Sequence, residues 1–262
     1  MKTYDTIVIG SGSAGFAALE GLHTAGVAPL AMVERRALGG ECPNYACVPT
    51  KALLKSAEVY HTIKNSEKYG IKTEDASFEW KDVVAREQDL IAHTGAARAK
   101  GDLAEMGVDL LWGDAVFTGQ GELTVGGKKH HAERFVIATG SVPAIPEVSG
   151  LRETGFVTSD EIITLPEFPD RLIVIGGGPV GLEMAQIFAR FGSKVTLLQR
   201  NTRLLPREEP EIAEYVRGRL AEEGIQIVLN AQVALAEKRG RDSRVTYEVD
   251  GKREVALGDV IL

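Results

Sequence analysis

Short apolar runs rich in β-branched residues alternate with stretches of helical spacing in the first part of the chain. Thr6 to Ile9 predicts a buried strand, and a glycine-rich segment, Gly10 to Gly15, separates it from the helical stretch Phe16 to Ala25. A second apolar strand, Leu30 to Val33, leads directly to Glu34. This order of strand, glycine turn, helix and strand predicts an α/β unit with parallel strands.

The same order of elements returns in the second half of the chain. The strand Leu172 to Ile175 is followed by the glycine segment Gly176 to Gly181, a helix that continues to Phe191 and the strand Lys194 to Leu198. Both glycine segments have the spacing G-x-G-x-x-G, which allows a tight turn and lets the pyrophosphate of a dinucleotide approach a helix N-terminus. A single match is weak evidence, because glycine turns join strands to helices in many α/β folds. Two matches in the same context favour two dinucleotide sites.

The only two cysteines, Cys42 and Cys47, lie in the segment Gly39 to Lys51, close to the start of a predicted helix. Their spacing indicates a redox pair, and two inert buried thiols are the alternative. A metal site would need two further ligands, and the five histidines form no such cluster in the sequence. A helix start favours the thiolate through its dipole, and Lys51 adds positive charge on the same helix face.

Two helices and a group of short strands are predicted between the glycine segments. The helical stretches Pro43 to Asn65 and Glu79 to Met106 have the spacing of helices that cover a sheet. The stretch Ser141 to Asp170 contains several prolines and is the best linker, which places a domain boundary near 145 to 150. The strands predict an antiparallel meander inserted into a parallel sheet, and they are Asp109 to Trp112, Ala115 to Thr118, Glu122 to Val125 and Lys129 to Val136.

Length and charge narrow the classes of function. A chain of 262 residues corresponds to roughly two domains, and a net charge of -7 gives no general attraction to nucleic acids or anionic membranes. The N-terminus lacks a signal-peptide pattern, and no apolar stretch reaches the ~20 residues of a membrane span. We therefore expect a cytoplasmic protein without nucleic-acid or membrane partners. In that reducing compartment a cysteine pair is more often catalytic than structural.

Together these motifs resemble the class I pyridine nucleotide-disulfide oxidoreductases, the family of lipoamide dehydrogenase, glutathione reductase and mercuric reductase. The resemblance implies two Rossmann-like dinucleotide-binding domains: an FAD domain, 1–148, with the inserted meander, and an NAD(P) domain, 149–262. The family's C-terminal dimer-interface domain is absent, so we expect a fragment of a homodimeric parent, itself monomeric. The matching elements are Gly10 to Gly15 with Glu34, Gly39 to Lys51, Gly113-Asp114-Ala115, Ala138-Thr139-Gly140-Ser141 and Gly176 to Gly181 with Glu183.

The same resemblance implies a role for each site residue. Cys42 would attack an external acceptor, and Cys47 would lie next to the flavin. Lys51 would lie near the flavin and pair with Glu183. Electrons would pass from the nicotinamide to FAD and then to the disulfide. The residues implied for FAD are Gly10, Ser11, Gly12, Ser13, Ala14, Gly15, Glu34, Arg35, Gly40, Glu41, Lys51, Ala115, Thr139, Gly140 and Ser141, and those for the nicotinamide cofactor are Gly176, Gly178, Pro179, Val180, Gly181, Gln199 and Arg200.

The choice of nicotinamide cofactor depends on the residues that follow the strand Lys194 to Leu198. An acid there accepts hydrogen bonds from the ribose hydroxyls of NAD, whereas an arginine suits the 2′-phosphate of NADP. This chain has Gln199 and Arg200 at that point, with Arg203 nearby, which favours NADPH over NADH. The alternative is that Arg200 simply faces water.

Two residues of the cysteine segment depart from the family pattern. Glu41 replaces the usual threonine and opposes thiolate formation at Cys42, and Ala46 replaces the usual glycine and restricts the backbone. The family's acid–base histidine belongs to the absent region. The pair His130-His131 does not replace it and is expected to face solvent.

The electron acceptor stays open among a small-molecule disulfide, a metal ion and a quinone, and no resident metal is expected. Two other functions also stay open. One is a non-catalytic FAD- or nucleotide-binding scaffold. The other is a flavin diaphorase or oxidase that bypasses the disulfide.

Overall fold

The computed structural model of the chain describes residues 2–262, and for Ala97 it describes the backbone alone. It divides into two compact units. The first unit contains the residues up to Pro49 together with Glu87–Val142, and the second contains Thr50–Arg86 together with Pro143–Leu262. The sequence-based division at residue 148 assigns a cofactor to each domain, and this assignment stays a prediction.

The first unit is built on a six-stranded sheet in the order β3-β2-β1-β6-β5-β4. Strands β3, β2, β1 and β6 are parallel to one another, whereas β4, β5 and β6 form an antiparallel meander on the other side of β6. Most of α3, the 3-10 turn and the start of α4 belong to the second unit. The elements up to the end of the first sheet are β1 Lys2–Ile9, α1 Ser13–Thr24, β2 Leu30–Glu34, α2 Glu41–Asn44, α3 Cys47–Lys64, a 3-10 turn Ser66–Tyr69, α4 Trp80–Thr94, α5 Ala96–Glu105, β3 Asp109–Trp112, β4 Ala115–Gly119, β5 Glu122–Val125 and β6 Lys128–Ile137.

Both faces of the first sheet are covered, which explains why β1 reads as an uninterrupted apolar run. Val8 and Met32 face one side, where Leu19 of α1 and Leu103 of α5 pack against them. Ile7, Ile9 and Val33 face the other side, in one cluster with Leu123 and Val125 of the meander. The predicted α/β fold with an inserted meander is confirmed.

One strand of the predicted meander belongs to the parallel part of the sheet instead. Asp109–Trp112 pairs with β2 in parallel, with Ala31 opposite Asp109. The four residues of β3 carry no sequence signal that distinguishes parallel from antiparallel pairing. The direction follows from the helix Ala96–Glu105, which returns the chain to the starting edge of the sheet before β3 begins.

Each of the two long helical predictions was wrong in its continuity, because each corresponds to two helices. The first is interrupted between Asn44 and Cys47, since Pro49 has no N–H to bond the carbonyl of Tyr45 and therefore sits in the first turn of a new helix. The second is interrupted at Gly95. A Cβ at that position would lie 2.8 Å from Oδ1 of Asn44, so the close approach requires glycine.

The second unit contains a four-stranded parallel sheet, β13-β7-β8-β9, and a three-stranded antiparallel sheet, β10-β11-β12, which the sequence did not predict. On β7, Leu172 and Val174 face helix α8, whereas Ile173 packs in a cluster with the antiparallel sheet. The bounds are α6 Leu151–Thr154, α7 Ser159–Ile162, β7 Arg171–Ile175, α8 Pro179–Phe191, β8 Lys194–Leu198, α9 Pro210–Glu222, β9 Gln226–Val228, β10 Gln232–Arg239, β11 Asp242–Val249, β12 Lys252–Gly258 and β13 Val260–Ile261.

Aromatic packing joins the start of α4 to the end of α8 within the second unit. Trp80 is buried, and its indole N–H donates to the carbonyl of Leu165 at 2.8 Å. Its ring lies against Phe168, Phe188 and Phe191, with centroid distances of 5.3–5.9 Å. Within residues 2–262, no helix is both long and apolar enough to cross a membrane.

Candidate dinucleotide sites and cysteine pair

The first glycine turn joins β1 to α1 in the geometry that a pyrophosphate site requires. Gly10 has a φ of +106°, and its N–H donates to the carbonyl of Val33 at 2.9 Å. A Cβ on Gly15 would lie 1.9 Å from the carbonyl oxygen of Gly10, so only glycine lets the helix pack this closely on the turn. The helix N-cap at Gly12 makes no side-chain hydrogen bond. The first N–H groups of α1 therefore remain available for an anion.

Glu34 lies at the end of β2 and is the acidic residue of this turn. Its carboxylate accepts hydrogen bonds from Ser11 Oγ at 2.5 Å, from the Ser11 N–H at 3.2 Å, and from the N–H groups of Arg35 and Arg36, both at 2.7 Å. Burial acts to raise the pKa of Glu34, but the hydrogen bonds from Ser11, Arg36 and Arg35 outweigh it and hold the pKa below its ordinary value. The side chain is therefore an ionised acceptor beside the turn, as ribose recognition requires.

Two other segments of the first unit close on this turn. A Cβ on Gly10 would lie 2.1 Å from the carbonyl of Ala138, at the end of β6, and a Cβ on Gly40 would lie 2.4 Å from Cα of Gly12. The N–H of Gly39 also donates to Ser11 Oγ at 3.0 Å. The backbone thus forms a cradle that any Cβ would fill. Its residues fit a dinucleotide such as FAD.

The remaining residues predicted for FAD lie on different parts of the first unit. Arg35 is exposed and pairs with Asp114 at 3.3 Å, next to Ala115 at the start of β4. Thr139 lies beside Gly10, with its Cα 3.2 Å from the position of a Gly10 Cβ. Gly140 has a φ of +71° with open space around it, and Ser141 is exposed.

Cys42 and Cys47 are brought together by the break between α2 and α3. Cys42 is half-buried in α2, Cys47 is exposed as the first residue of α3, and both are free thiols. The pKa of the Cys42 thiol is raised, first by its hydrogen bond to Cys47, then by burial and by the nearby charge of Glu41. This direction agrees with the sequence-based expectation that Glu41 opposes a thiolate at Cys42, whereas the expected preference of a helix start for the thiolate does not hold at this residue. The four-residue helix α2 is too short for its dipole to prevail.

Within the second unit, Lys51 of α3 forms an ion pair with Glu183 of α8. The side chain of Lys51 is 61% exposed and that of Glu183 is 34% exposed. An exposed pair of this kind contributes only about 0.2–1 kcal/mol to stability. The two residues that the resemblance implied as partners are therefore in contact, at little energetic benefit to the fold.

The second glycine turn joins β7 to α8 with nearly the same geometry as the first. Gly176 has a φ of +124°, and its N–H donates to the carbonyl of Leu198 at 2.9 Å. A Cβ on Gly181 would lie 2.2 Å from the carbonyl of Gly176. The helix N-cap at Gly178 has no side-chain hydrogen bond, and Pro179 begins the helix. Val180 is exposed at the same helix start.

Gln199 occupies the position in the second turn that Glu34 occupies in the first. Gln199 is buried, accepts from the N–H of Gly177 at 3.3 Å and donates to the carbonyl of Arg203 at 3.1 Å. Arg200 is exposed. A cavity of about 510 Å³ opens at the carboxyl ends of β7 and β8, and its lining includes Gly176, Gln199, Arg200, residues 144–148 and residues 231–233.

Residues 144–148 and 231–233 were not predicted as site residues. They reach the cavity from segments that are distant in sequence from the glycine turn. Neither segment carries a basic residue or a glycine-rich motif that would signal a nucleotide site. Only the position of the cavity, at the carboxyl edge of a parallel sheet, identifies them.

His130 is the clearest error among the predicted side chains. It is buried, its ring centroid lies 6.1 Å from that of Tyr4, and burial lowers its pKa. Its position in β6, opposite Lys2 of β1, turns it inward despite the neighbouring lysines. Across residues 2–262, no group of three or more His, Cys, Asp and Glu side chains is arranged to hold a metal ion.

Comparison with known proteins gives consistent results. The model of the family described as pyridine nucleotide-disulphide oxidoreductase matches residues 4–262. The chain is 37% identical to a mercuric reductase of Lysinibacillus sphaericus over 99% of its own length and 47% of that protein. It is 34% identical to a dihydrolipoyl dehydrogenase of Acholeplasma laidlawii, covering all of this chain and 77% of that protein.

A solved structure also matches the whole fold. The HOCl-induced flavoprotein disulfide reductase RclA from Escherichia coli superposes with a TM-score of 0.82 at 29% identity, over 99% of this chain and 55% of that one. The chain spans about half the length of the first relatives that it matches.

Proposed function

Because the chain belongs to the pyridine nucleotide-disulphide oxidoreductase family, we propose that it forms the FAD- and NADPH-binding part of an enzyme that reduces an external acceptor through Cys42 and Cys47. The observation that carries this proposal is the position of the cysteine segment. Gly40, two residues before Cys42, lies directly against Gly12 of the first glycine turn. The hydrogen-bonded thiols are therefore attached to the cradle that fits FAD.

FAD, when bound, supplies a two-electron carrier between the nicotinamide and the cysteine pair. The residues of the first unit would hold it. The N-terminus of α1 would face the pyrophosphate, and Glu34 would accept a hydrogen bond from a ribose hydroxyl. The second turn, with the cavity beside it, would hold NADPH in the same way.

The cysteines perform a thiol–disulfide exchange in this proposal. The Cys42–Cys47 disulfide takes up two electrons and two protons to give two thiols. Cys42 then loses its proton and attacks a sulfur of the acceptor disulfide, which releases one acceptor thiol and leaves a mixed disulfide. Cys47 attacks the Cys42 sulfur, releases the second acceptor thiol and restores the starting disulfide. Because the pKa of Cys42 is raised, its thiol has to give up its proton to a base before it attacks the acceptor.

The absence of an acid at Gln199 supports NADPH over NADH. Gln199 is neutral and already engaged with Gly177 and Arg203, so nothing in it repels a 2′-phosphate. Arg200 lines the adjoining cavity and is exposed, which leaves its guanidinium accessible to a phosphate. The ion pair of Lys51 with Glu183 supports a role for both residues beside the flavin, as in the family resemblance.

The acceptor belongs to the same proposal. Relatives are named for mercuric ion and for dihydrolipoyl groups, so a small-molecule disulfide or a metal ion is the class that we propose, with a quinone as the alternative. A homodimeric parent and a reducing cytoplasmic location complete the proposal.

The first test is an absorbance spectrum of the purified protein before and after anaerobic addition of NADPH. We expect a flavin spectrum that develops a long-wavelength charge-transfer band. Replacing Cys47 with serine should remove the band and retain the flavin. A colourless folded protein that takes up no added FAD would favour the binding-scaffold function instead.

A second measurement separates the disulfide relay from a diaphorase. NADPH-dependent reduction of a disulfide and of a quinone is compared between the wild type and Cys42→Ser. We expect the substitution to abolish disulfide reduction. Equal disulfide reduction by both proteins would exclude the proposed role of Cys42.

A further inference from the structure

A cation–π contact connects the FAD cradle to the loop between the two cysteines. The guanidinium carbon of Arg36 lies 3.7 Å from the ring centroid of Tyr45. This distance is well within the ~6 Å at which a cation is attracted to an aromatic face. Tyr45 is the residue at which α2 ends, three positions after Cys42 and two before Cys47.

The backbone of Arg36 is itself held in place. Its N–H donates to Oε1 of Glu34 at 2.7 Å, and the other oxygen of Glu34 accepts from Ser11. The Arg36 side chain therefore extends from a fixed point beside the first glycine turn. Its contact with the Tyr45 ring therefore restrains the loop between the two cysteines relative to the first glycine turn.

Hydrogen bonds also hold the connection between the cysteines. On the Cys42 side, Asn44 donates to the carbonyls of Leu38 and Gly40 at 3.1 and 2.7 Å. The N–H groups of Tyr45 and Ala46 both bond the carbonyl of Glu41. Tyr45 itself is the C-cap of α2, at the point where the helix breaks.

Resting on the proposed redox function of the pair, we propose that Arg36 is a positioning residue for Cys42 and Cys47. Its stack on Tyr45 holds the break between α2 and α3 in the conformation that brings the two sulfurs into contact. A disulfide forms only when two cysteines are close and correctly oriented, so this restraint favours the disulfide over the two thiols.

The test is the equilibrium of the purified chain with glutathione. In this reaction two protein thiols and one oxidised glutathione give one protein disulfide and two reduced glutathiones. The equilibrium constant is measured by alkylation of free thiols and mass spectrometry. The variants Arg36→Met and Tyr45→Leu should each lower the constant about two- to fivefold, the range that corresponds to a cation–π contact.

Two controls separate positioning from general damage. Tyr45→Phe keeps the ring and should stay near the wild-type constant. Arg98→Met removes a charge from an exposed position of α5 and should also leave the constant unchanged. The melting temperature of every variant is recorded, since a structural role alone would lower stability without moving the thiol equilibrium.

The outcomes distinguish this inference from the proposed function. If the wild type forms the disulfide and Arg36→Met leaves its constant unchanged, Arg36 has no positioning role, while the proposed function stands. A loss in Tyr45→Leu alone would assign the effect to ring packing and would also overturn the role of Arg36. If the wild type forms no Cys42–Cys47 disulfide in oxidised glutathione, the proposed function and this inference both fail.

Discussion

The two glycine turns of this chain share a backbone and differ in chemistry. In each, the first glycine has a left-handed φ, +106° at Gly10 and +124° at Gly176. Its N–H donates at 2.9 Å to a carbonyl of the neighbouring parallel strand, that of Val33 in the first turn and that of Leu198 in the second. In each, the third glycine presses on the carbonyl of the first. The residue at the end of the second strand differs between the turns. Glu34, the last residue of β2, is an ionised acceptor, and Gln199, the first residue after β8, is a neutral amide. The same turn can therefore serve different dinucleotides.

The surroundings of the turns differ as well. Ala138 and Gly40 close on the first turn, whereas a Cβ on Gly176 would meet nothing within 4 Å and the close neighbour of the second turn, the Leu204 side chain, approaches Gly177 instead. The second turn opens instead onto the cavity of about 510 Å³. An enclosed turn suits a cofactor that stays bound, and an open one suits a cofactor that exchanges.

The largest effect that separates the turns is expected from alanine at the first glycine. Gly10→Ala places an alanine in a left-handed backbone conformation, which costs about 1–3 kcal/mol. Its Cβ would also lie only 2.1 Å from the carbonyl oxygen of Ala138. We expect a total loss of about 3 kcal/mol or more in the free energy of unfolding. Gly176→Ala meets no atom, so only the conformational cost of about 1–3 kcal/mol should appear.

Urea denaturation can measure the two losses separately. Trp112 lies in the first unit and Trp80 in the second, and they are the only tryptophans of the chain. In a Trp80→Phe background the fluorescence of Trp112 therefore reports unfolding of the first unit, and in a Trp112→Phe background that of Trp80 reports the second. Equal losses in the two glycine variants would contradict the difference in enclosure.

Exchange of the two strand-end residues is the second test. In Glu34→Gln, an amide N–H₂ replaces an oxygen that accepts backbone or Ser11 hydrogen bonds, and leaving such donors unpaired costs about 1–3 kcal/mol. In Gln199→Glu, a carboxylate oxygen would face the carbonyl of Arg203 at a similar cost. Chemical denaturation measures both losses. Glu105→Gln, at an exposed position of α5, is the matched control and should change little.

Removal of one guanidinium tests the cofactor assigned to the open turn. Arg200→Met should weaken NADPH binding about tenfold and leave NADH binding unchanged, because only NADPH carries the 2′-phosphate. Isothermal titration calorimetry measures both affinities. Arg219→Met removes an exposed arginine of α9 and serves as the control. A parallel loss of NADH affinity would mean that Arg200 does not distinguish the two cofactors.

The smallest expected effect is the pH dependence of the first turn. The folded state holds the pKa of Glu34 below its ordinary value of 4.5, so the ionised side chain stabilises the fold above that pH. This contribution is lost as the pH falls through the folded-state pKa. The difference in unfolding free energy between wild type and Glu34→Gln should therefore shrink below about pH 4.5. A difference that stays constant down to pH 3 would show that ionisation of Glu34 does not matter.

Residue types at short spacing were sufficient to predict both turns and the elements beside them. The strand–glycine–helix order at Gly10 to Gly15 and at Gly176 to Gly181 is confirmed in the structure. These features depend on φ and on contacts within one turn, so a few adjacent residues determine them. The roles assigned to the site residues stay predictions.

Other features could not be predicted, because they depend on residues that are distant in sequence. The parallel direction of β3 follows from the helix before it, and the requirement for glycine at the break, Gly95, follows from the close approach of Asn44. Burial of His130 follows from its pairing with β1 rather than from its lysine-rich neighbours.

The sequence by itself determined the α/β fold and the two glycine turns, because each is a pattern of neighbouring residues with one favourable local conformation. Only the tertiary structure decided which segments enclose a turn and which leave it open. It also brought Arg36 to Tyr45 and Lys51 to Glu183. Such contacts require segments to pack against one another, and packing is set by the whole of each unit.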